Sequence, residues 1–410
     1  MNFFTALTSS SREPAKVKTF SADMDVLSVA LDGTIYIYGG IFVFTRWRRV
    51  LRAAQTVWPL LALAALACLS ATWSVEPMIT FRRSVSLLTA TMIAIYLGEQ
   101  YSIQVFARLL AKTLCLVMML VLVLYCIAPE YVIDYSAYGG AWKGLSRYKN
   151  TFGEHMAITV LLLALVKLQR FDWLRYLGLL IAAGLLLLSG SATSLVCCVL
   201  SLSATALWRL MRGEQRLLAY ALAALIFCLG IYWMLSPPEP LFQVLGRDAT
   251  LTGRTRIWTT LLPIIAARPI LGYGYAAFWA GMKPELLSVW IGAGWPVQVA
   301  DNGYIDLCLS LGAVGVCTFV WNCFRSFRSA IDYVRWEPRS VGLWPVSYLC
   351  FFALHSVSES TLLTSGSFSF LLFAILTTSL AVSHKYKVTC GRTINNQPFT
   401  WGYGPSVVSR

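Results

Sequence analysis

The feature that most constrains this chain is a series of apolar segments of roughly the length needed to cross a bilayer. A transmembrane helix needs about 20 consecutive apolar residues. Eleven segments meet or approach that length: 26–44, 55–73, 80–98, 107–127, 154–169, 173–190, 192–209, 217–235, 303–324, 341–358 and 364–383. The composition agrees, because 58% of the residues are hydrophobic and 13% are charged, whereas soluble domains carry about 25% charged residues. The sequence therefore predicts an all-α polytopic membrane protein with about 11 transmembrane helices, in a range of about 10 to 12.

The spacing of these segments divides the chain into five regions. They are a polar N-terminal tail over 1–25, transmembrane helices 1 to 8 over 26–235 with an outer loop at 128–153, a long outer loop over 236–302, transmembrane helices 9 to 11 over 303–383, and a tail over 384–410. The long loop contains two short apolar stretches, Ile257–Ala267 and Leu286–Trp295, which we expect to lie at the membrane–water boundary. A loop of this length without strong polarity is usually functional.

The basic residues behind the net charge of +14 predict how the chain is oriented across the membrane. In a membrane protein, Lys and Arg residues concentrate in cytoplasmic loops. If the loop after the first segment is cytoplasmic, most of the 33 basic residues fall on that side, so we expect a cytoplasmic C-terminus and an outward-facing long loop. The odd number of segments would put Arg12, Lys16 and Lys18 outside, which leaves the N-terminal end open. This explanation of the charge also removes the reason to expect a nucleic-acid partner.

Several classes of protein are excluded by missing motifs. There is no G-x-x-x-x-G-K-[ST] sequence to cradle nucleotide phosphates, which excludes an ATP-driven pump. The glycines at 272–274 are not followed by the rest of a dinucleotide-binding fingerprint. No H-E-x-x-H occurs, the three histidines are scattered, and the short acidic match at 23–25 is of a kind that arises by chance. No C-x-x-C occurs, and ten of the 11 cysteines lie in apolar segments. The sequence therefore predicts no metal, cofactor or disulfide framework.

A first group of candidate residues precedes the fifth apolar segment. Arg147, Lys149 and Asn150 come just before it on the outer side, where positive charge is otherwise scarce. Cations at a helix start bind anions such as phosphate well. The alternative is a solvated helix start in which Thr151 and Glu154 form a T-x-x-E capping box.

A second group lies in the long outer loop. Its candidates are Arg247, Arg254, Arg256 and Trp258, with three arginines on the outer side and an aromatic ring suited to a sugar. For the tryptophan, an interfacial position at the membrane surface is the alternative.

A third group is acidic. Asp301 and Asn302 precede the ninth segment, and either could be a plain helix N-cap, with Asp306 complementing the helix dipole. His355 and Glu359 lie four residues apart, which predicts one helical face near the outer end of the tenth segment. An acidic group at a bilayer boundary is a functional candidate.

These residues fall within motifs that resemble the O-antigen ligase and polymerase superfamily, and within it the exopolysaccharide polymerases of the succinoglycan type. The similar stretches occur in the family's order and cover roughly residues 50–380. They are R-Y-K-N-T-F-G-E-H-M-A at 147–157, L-L-S-G-S-A-T-S-L at 187–195, L-T-G-R-T-R-I-W at 251–258, R-P-I-L-G-Y-G-Y-A-A-F at 268–278, D-N-G-Y-I-D-L-C-L-S-L-G-A-V-G at 301–315 and S-E-S at 358–360.

The resemblance implies a GT-C-like membrane glycosyltransferase in the bacterial inner membrane. Its active site would face the periplasm and polymerise undecaprenyl-pyrophosphate-linked oligosaccharide units by metal-independent, inverting transfer. Arg254 would stabilise charge on the leaving group, and Asp301 or Glu359 would be the base. The remaining candidates would bind pyrophosphate and sugar: Arg147, Lys149, Asn150, Arg247, Arg256, Trp258 and Asn302. A chain-length-control or export protein is the further partner implied.

The sequence departs from the ligase pattern at two positions. Ligases of the superfamily usually carry histidine where this chain has Asp301, and many relatives carry arginine where it has Ala192. An ordinary aspartate, with a pKa of about 3.9, is a weak base at neutral pH, so either its environment raises that pKa or Glu359 is the base. The alternatives are a glycan ligase with a different acceptor, a lipid-linked oligosaccharide flippase, and a purely structural subunit.

Overall fold

The computed structural model describes residues 33–34, 37–135, 140–167, 172–211, 254–281, 283–337, 340–364 and 366–390. The predicted segment at 217–235, the first part of the segment at 26–44, and Arg247 lie outside these residues. The division of the chain into five regions therefore stays a prediction.

The described residues are almost entirely helical. A helical stretch over 37–45 precedes the helices α1 Trp47–Thr56, α2 Trp58–Leu69, α3 Pro77–Gln100, α4 Ile103–Ile127, α5 Lys149–Leu165, α6 Asp172–Leu188, α7 Ala192–Met211, α8 Arg254–Ala267, α9 Pro284–Ala293, α10 Gly303–Trp336, α11 Ser340–His355 and α12 Phe368–Cys390. Within the described ranges, one antiparallel strand pair, β1 Ile133–Asp134 with β2 Ala141–Trp142, is the exception to the all-α prediction.

Five described helices are long and apolar enough to cross a membrane, and a bent pair formed by α1 and α2 could add a sixth. The five are Pro77–Gln100, Ile103–Ile127, Ala192–Leu210, Gly303–Trp336 and Phe368–Lys385. Two shorter apolar helices, Trp173–Leu188 and Val341–His355, fall on predicted segments. The polytopic helical architecture is confirmed, whereas the count of eleven stays a prediction.

Two helices extend beyond the apolar segments predicted from the sequence. The ninth segment was expected to end at residue 324, but α10 continues to Trp336, because its later turns alternate charged residues with buried ones and so carry the helix beyond the apolar stretch. The stretch between α4 and α5 ends five residues before the predicted end of the loop at 128–153, since α5 already begins at Lys149. The two short apolar stretches of the long loop are helical, as α8 and α9.

Large apolar side chains occur both inside the bundle and on its outer surface. Leu116, Ile127 and Leu180 are 70%, 75% and 71% exposed, which suits contact with lipid rather than water. Inside, α11 and α12 pack through aromatic rings, with Phe352 and Phe373 stacked at 4.7 Å between centroids. A second, smaller apolar cluster joins α8, α9 and the start of α10.

A break in α10 holds the segment 268–281, which we call the outer strap. Gly312 has φ 60° and ψ −159°, so the helical hydrogen bonds around it are lost. The strap replaces them: Tyr273 and Gly274 donate to the carbonyls of Leu309 and Ser310, and the amides of Ala313 and Val314 donate to Pro269 and Ile270. Glycine is required at both contact points. A Cβ on Gly312 would lie 2.3 Å from the Ile270 oxygen, and one on Gly272 would lie 2.6 Å from the Leu309 oxygen.

The strap also contacts the turn before α3 and the first part of α3 itself. The Val75 amide donates to the Tyr273 carbonyl at 3.0 Å, and Arg83 on α3 donates to the Ala276 carbonyl at 2.8 Å. Lys283 lies 3.4 Å from Glu76. These contacts hold α8 and α9 over one end of the helical bundle.

Candidate functional site

Polar residues from five separate helix ends meet at one side of the bundle. They come from the starts of α5 and α7, the first described turn of α8, the turn before α10, and the loop after α11. We call the set formed by Asn150, Arg254, Asp301 and Glu359 the arginine–carboxylate cluster.

Arg254 lies between two carboxylates. Its Nη2 donates to Glu359 Oε1 at 3.0 Å, and its Nε lies 3.6 Å from Asp301 Oδ2. The Arg254 side chain is 13% exposed, that of Glu359 16% and that of Asp301 36%. The guanidinium is therefore largely shielded from water, and its electrostatic interactions are stronger than they would be in water. The cluster remains accessible on its Asp301 side.

Asn150, in the first turn of α5, completes the cluster. Its Nδ2 donates to Glu359 Oε1 at 2.7 Å, the same oxygen that accepts from Arg254. Among the described residues, no hydrogen bond or ion pair reaches the second carboxylate oxygen, Oε2. One oxygen of Glu359 thus orients the carboxylate, and the other is available to a substrate.

The turn before α10 explains how Asp301 reaches Arg254. Asn302 is the N-cap, and its side-chain oxygen accepts from the amides of Tyr304 and Ile305. Asp301 just before it has φ 48°, a left-handed conformation that aspartate tolerates better than most residues. The Asn302 amide also donates to Ser360 Oγ at 3.2 Å, which joins this turn to the loop that carries Glu359.

Burial raises the pKa of both carboxyls. It raises the pKa of Glu359 to about 7, against the lowering influence of Arg254 and with a further rise from the charge on Asp301. Burial likewise raises the pKa of Asp301, although Arg254 opposes the shift. A carboxyl with a pKa near 7 exchanges a proton readily at neutral pH, which suits general base catalysis.

A buried polar network supports the cluster from inside the bundle. His355 Nε2 lies 3.2 Å from Ser194 Oγ, and Ser194 Oγ donates to the Asn150 carbonyl at 3.5 Å. On its other side, His355 Nδ1 lies 3.5 Å from Glu154, which also accepts a hydrogen bond from Ser369. The network ties α5, α7, α11 and α12 together directly beneath Asn150.

Two sequence interpretations are wrong. Thr151 and Glu154 form no capping box, because α5 begins at Lys149 after Tyr148, which makes no side-chain cap, and Glu154 is buried against Ser369. His355 and Glu359 do not share a helical face either. The helix ends at His355, and Glu359 reaches the cluster from the loop that follows.

The other candidate residues lie around the cluster. Arg147 and Lys149 are at the start of α5, next to Asn150, and Arg147 is exposed. Arg256 is exposed on α8. Trp258 is half-buried and donates to the Ala300 carbonyl at 2.9 Å, so its indole supports the turn before Asp301.

Sequence reasoning missed several hydroxyl side chains. Ser194, Ser369 and Ser360 take part in the contacts above, and Ser358 Oγ donates to Thr193 Oγ1 at 3.3 Å. The S-A-T-S and S-E-S motifs contained four of these residues. Nothing in their spacing indicated that Thr193 and Ser358, which are 165 residues apart, would be in contact. Among the described residues, no group of three or more His, Cys, Asp or Glu side chains is arranged to hold a metal ion.

Comparisons with known proteins give three findings. Residues 177–320 match the model of a protein family described as O-Antigen ligase, Wzy_C. The chain is 24% identical over 348 residues to the exopolysaccharide production protein ExoQ of Rhizobium meliloti (strain 1021), which covers 78% of this chain and 77% of that protein. A chain of the solved structure described as "Structural coordination of polymerization and crosslinking by a peptidoglycan synthase complex" aligns with a TM-score of 0.42 and 20% identity, over 81% of this chain and 97% of that chain. That structural likeness is too low to carry an argument.

Proposed function

We infer that the chain belongs to the O-antigen ligase and polymerase superfamily, near its exopolysaccharide branch, and on that premise we propose that it polymerises undecaprenyl-pyrophosphate-linked oligosaccharide units. The reaction takes place on the periplasmic face of the bacterial inner membrane, with the C-terminus in the cytoplasm. The observation that carries the proposal is the arginine–carboxylate cluster, in which Arg254 is held between Glu359 and Asp301. It combines a fixed cation with a carboxyl of raised pKa.

Arg254 stabilises the leaving group. When the bond between the sugar carbon and the pyrophosphate oxygen breaks, negative charge builds up on that oxygen. A guanidinium has five N–H donors in a planar fork that matches phosphate oxygens. Nη2 and Nε face Glu359 and Asp301, and Nη1, which has no hydrogen-bond partner among the described residues, is assigned to the phosphate. Because Arg254 is already oriented and largely shielded, it stabilises this charge without rearrangement.

Glu359 is the general base. The attacking hydroxyl of the acceptor sugar must lose its proton as its oxygen bonds to the sugar carbon. Glu359 Oε2 accepts that proton while Oε1 stays bonded to Asn150 and Arg254. Attack on the face opposite the departing pyrophosphate inverts the configuration at that carbon. Asp301 orients Arg254, and through its charge it raises the pKa of the Glu359 base.

The surrounding residues bind the donor and acceptor. Arg147, Lys149 and Arg256 hold pyrophosphate oxygens at the edge of the cluster, and we assign Arg247 to the same task from the sequence alone. Asn302 and Trp258 maintain the turn that carries Asp301. The relative from Rhizobium meliloti is described as an exopolysaccharide production protein, which supports polymer synthesis rather than transfer to a lipid or protein acceptor. A chain-length-control or export protein would be the partner.

A reconstituted reaction tests the proposal. Purified protein in nanodiscs is mixed with a lipid-pyrophosphate-linked repeat unit, without nucleotide or added metal, and the products are sized on a gel. A ladder of longer lipid-linked glycans is expected. Product formed only when a different acceptor is added would make the protein a ligase. In reconstituted vesicles, an intact donor that moves between leaflets would make it a flippase, and either result would overturn the polymerase assignment.

A further inference from the structure

A short, strongly basic helix lies at the membrane face opposite the arginine–carboxylate cluster. α3 starts beside the outer strap, and its 24 residues extend about 36 Å at about 1.5 Å per residue. At its far end, the Gln100 side chain accepts a hydrogen bond from Arg46, the residue just before α1. The start of α1 is therefore about a membrane thickness away from the strap that borders the proposed active site.

The direction of α1 differs from that of the helices that cross the bundle. α1 and α2 meet at Val57 with a bend of 101°. With 10 residues, α1 is about 15 Å long, too short to cross a bilayer of about 30 Å. Because α2 runs back toward the outer strap, α1 lies close to the plane of the membrane surface.

The side chains of α1 divide into three sectors. The sector facing the protein is buried and contains Val50, Ala53 and Ala54. The next sector is apolar but exposed, with Trp47 52% and Leu51 45% exposed. The third sector is basic and contains Arg48, Arg49 and Arg52. A helix with protein, apolar and basic sectors is typical of a membrane interface, where apolar side chains enter the lipid and cations face headgroups.

The basic sector borders an open cavity of about 610 Å³. The cavity is lined by Thr45, Arg46, Trp47, Arg48, Arg49 and Arg52. Within the described part of the chain, none of its four guanidiniums forms an ion pair with a carboxylate. The arginines are partly ordered by their neighbours, since Arg52 Nε donates to the Arg48 carbonyl at 3.3 Å and the Arg48 guanidinium lies 5.7 Å from the Trp47 ring centroid.

We propose that this cavity binds the phosphate headgroups of anionic phospholipids, with Trp47 and Leu51 against their acyl chains. Charge complementarity favours this ligand, because four arginines surround the cavity and arginine matches phosphate geometry with two parallel hydrogen bonds. The neighbouring apolar sector favours a lipid over a soluble phosphate. The site is separate from glycosyl transfer, so the lipid proposal and the proposed function can fail independently.

Lipid binding to the full-length protein tests the proposal. Purified protein in neutral detergent is titrated with phosphatidylglycerol and, separately, with phosphatidylcholine, and bound lipids are counted by native mass spectrometry. We expect preferential retention of phosphatidylglycerol. Replacing Arg48, Arg49 and Arg52 together by Gln should weaken that binding about tenfold or more and leave phosphatidylcholine unchanged. The matched control changes Arg108, Arg328 and Arg335 to Gln, which removes three charges from the same membrane face outside the cavity.

Further variants separate charge from folding. Replacing the same three residues of α1 by Lys keeps the charge, and binding within a few-fold of the wild type is expected. Raising the ionic strength should weaken phosphatidylglycerol binding to the unmodified protein. Equal retention of both lipids, an equal loss in the control variant, or no effect of salt would overturn the proposal. Displacement of phosphatidylglycerol by millimolar inorganic phosphate would reassign the cavity to a soluble anion.

Discussion

At the scale of single residues, the chemistry of the cluster depends on the pKa of Glu359, which a neighbouring cation and a second acid shift in opposite directions. Arg254 lowers the pKa of the Glu359 carboxyl and Asp301 raises it, while burial sets the overall rise to about 7. If Glu359 is the base, the active form is the deprotonated one. The rate should therefore rise with pH and level off above about pH 7, with a slope near tenfold per unit well below it.

Asp301→Asn should move this pH dependence downward. The change removes a negative charge that raises the pKa of Glu359, so the base ionises at lower pH. Asparagine also tolerates the left-handed backbone at this position, which protects the fold. The pH–rate profile of polymer formation provides the measurement. If the acidic limb of the variant's pH–rate profile stayed at the wild-type pH or moved to higher pH, this electrostatic role of Asp301 would be contradicted.

Arg254→Gln should have the opposite effect on the profile and a much larger effect on the rate. Loss of the cation removes the influence that lowers the pKa of Glu359, so the limb moves to higher pH. The rate at the plateau should fall roughly 100- to 1,000-fold, as when one charge-stabilising donor is removed elsewhere. Arg256→Gln, two residues along the same helix and exposed, is the matched comparison. An equal loss of rate in both variants would contradict a specific role for Arg254 in stabilising the leaving group.

At the scale of elements, the outer strap and the break in α10 form one unit. Gly312 interrupts the helix, and the carbonyls and amides it leaves unpaired are bonded by residues 269–274 of the strap. The strap in turn anchors the outer ends of α3 and α8. Gly272 and Gly312, which lie in the motifs at 268–278 and 301–315, are therefore explained by backbone packing, which positions the site without taking part in its chemistry.

Gly312→Ala should destabilise the protein. A non-glycine residue in a disfavoured backbone region costs about 1–3 kcal/mol, and here the added Cβ would also meet the Ile270 carbonyl at 2.3 Å. Thermal unfolding in detergent, followed by near-ultraviolet circular dichroism, should show a lower Tm. Gly184→Ala in α6 is the control, because its Cβ would meet nothing within 4 Å. Similar Tm values for the two variants would show that the break in α10 is not under this constraint.

At the scale of the whole molecule, the two faces carry different surfaces. One face brings together the arginine–carboxylate cluster beneath α8 and α9, and the opposite face carries the basic helix α1. The helices between them expose leucine, isoleucine and valine side chains outward, as expected for a chain surrounded by lipid. This arrangement agrees with the two proposals, glycosyl transfer at one membrane surface and binding of lipid headgroups at the other.

Much of this architecture follows from the sequence, and the remainder depends on contacts between distant residues. Apolar length predicted the helical membrane fold, and motif order selected Arg254, Asp301 and Glu359. The sequence could not show that these three residues meet, because their contacts join positions 47 to 105 residues apart in the chain. The capping box failed for a related reason. Local pattern suggested that Glu154 pairs with its own helix start, whereas its hydrogen-bond partner is Ser369, 215 residues away.

The most direct test of the central claim compares three proteins in the reconstituted polymerisation reaction with a metal chelator present. Wild-type protein and Glu285→Gln, which alters an exposed acid on α9, should each produce a ladder of lengthened lipid-linked glycans. Glu359→Gln keeps the size of the side chain but cannot accept the proton, and it should produce none. A full ladder from Glu359→Gln, or wild-type activity that appears only when metal is restored, would contradict a metal-independent reaction in which Glu359 is the base.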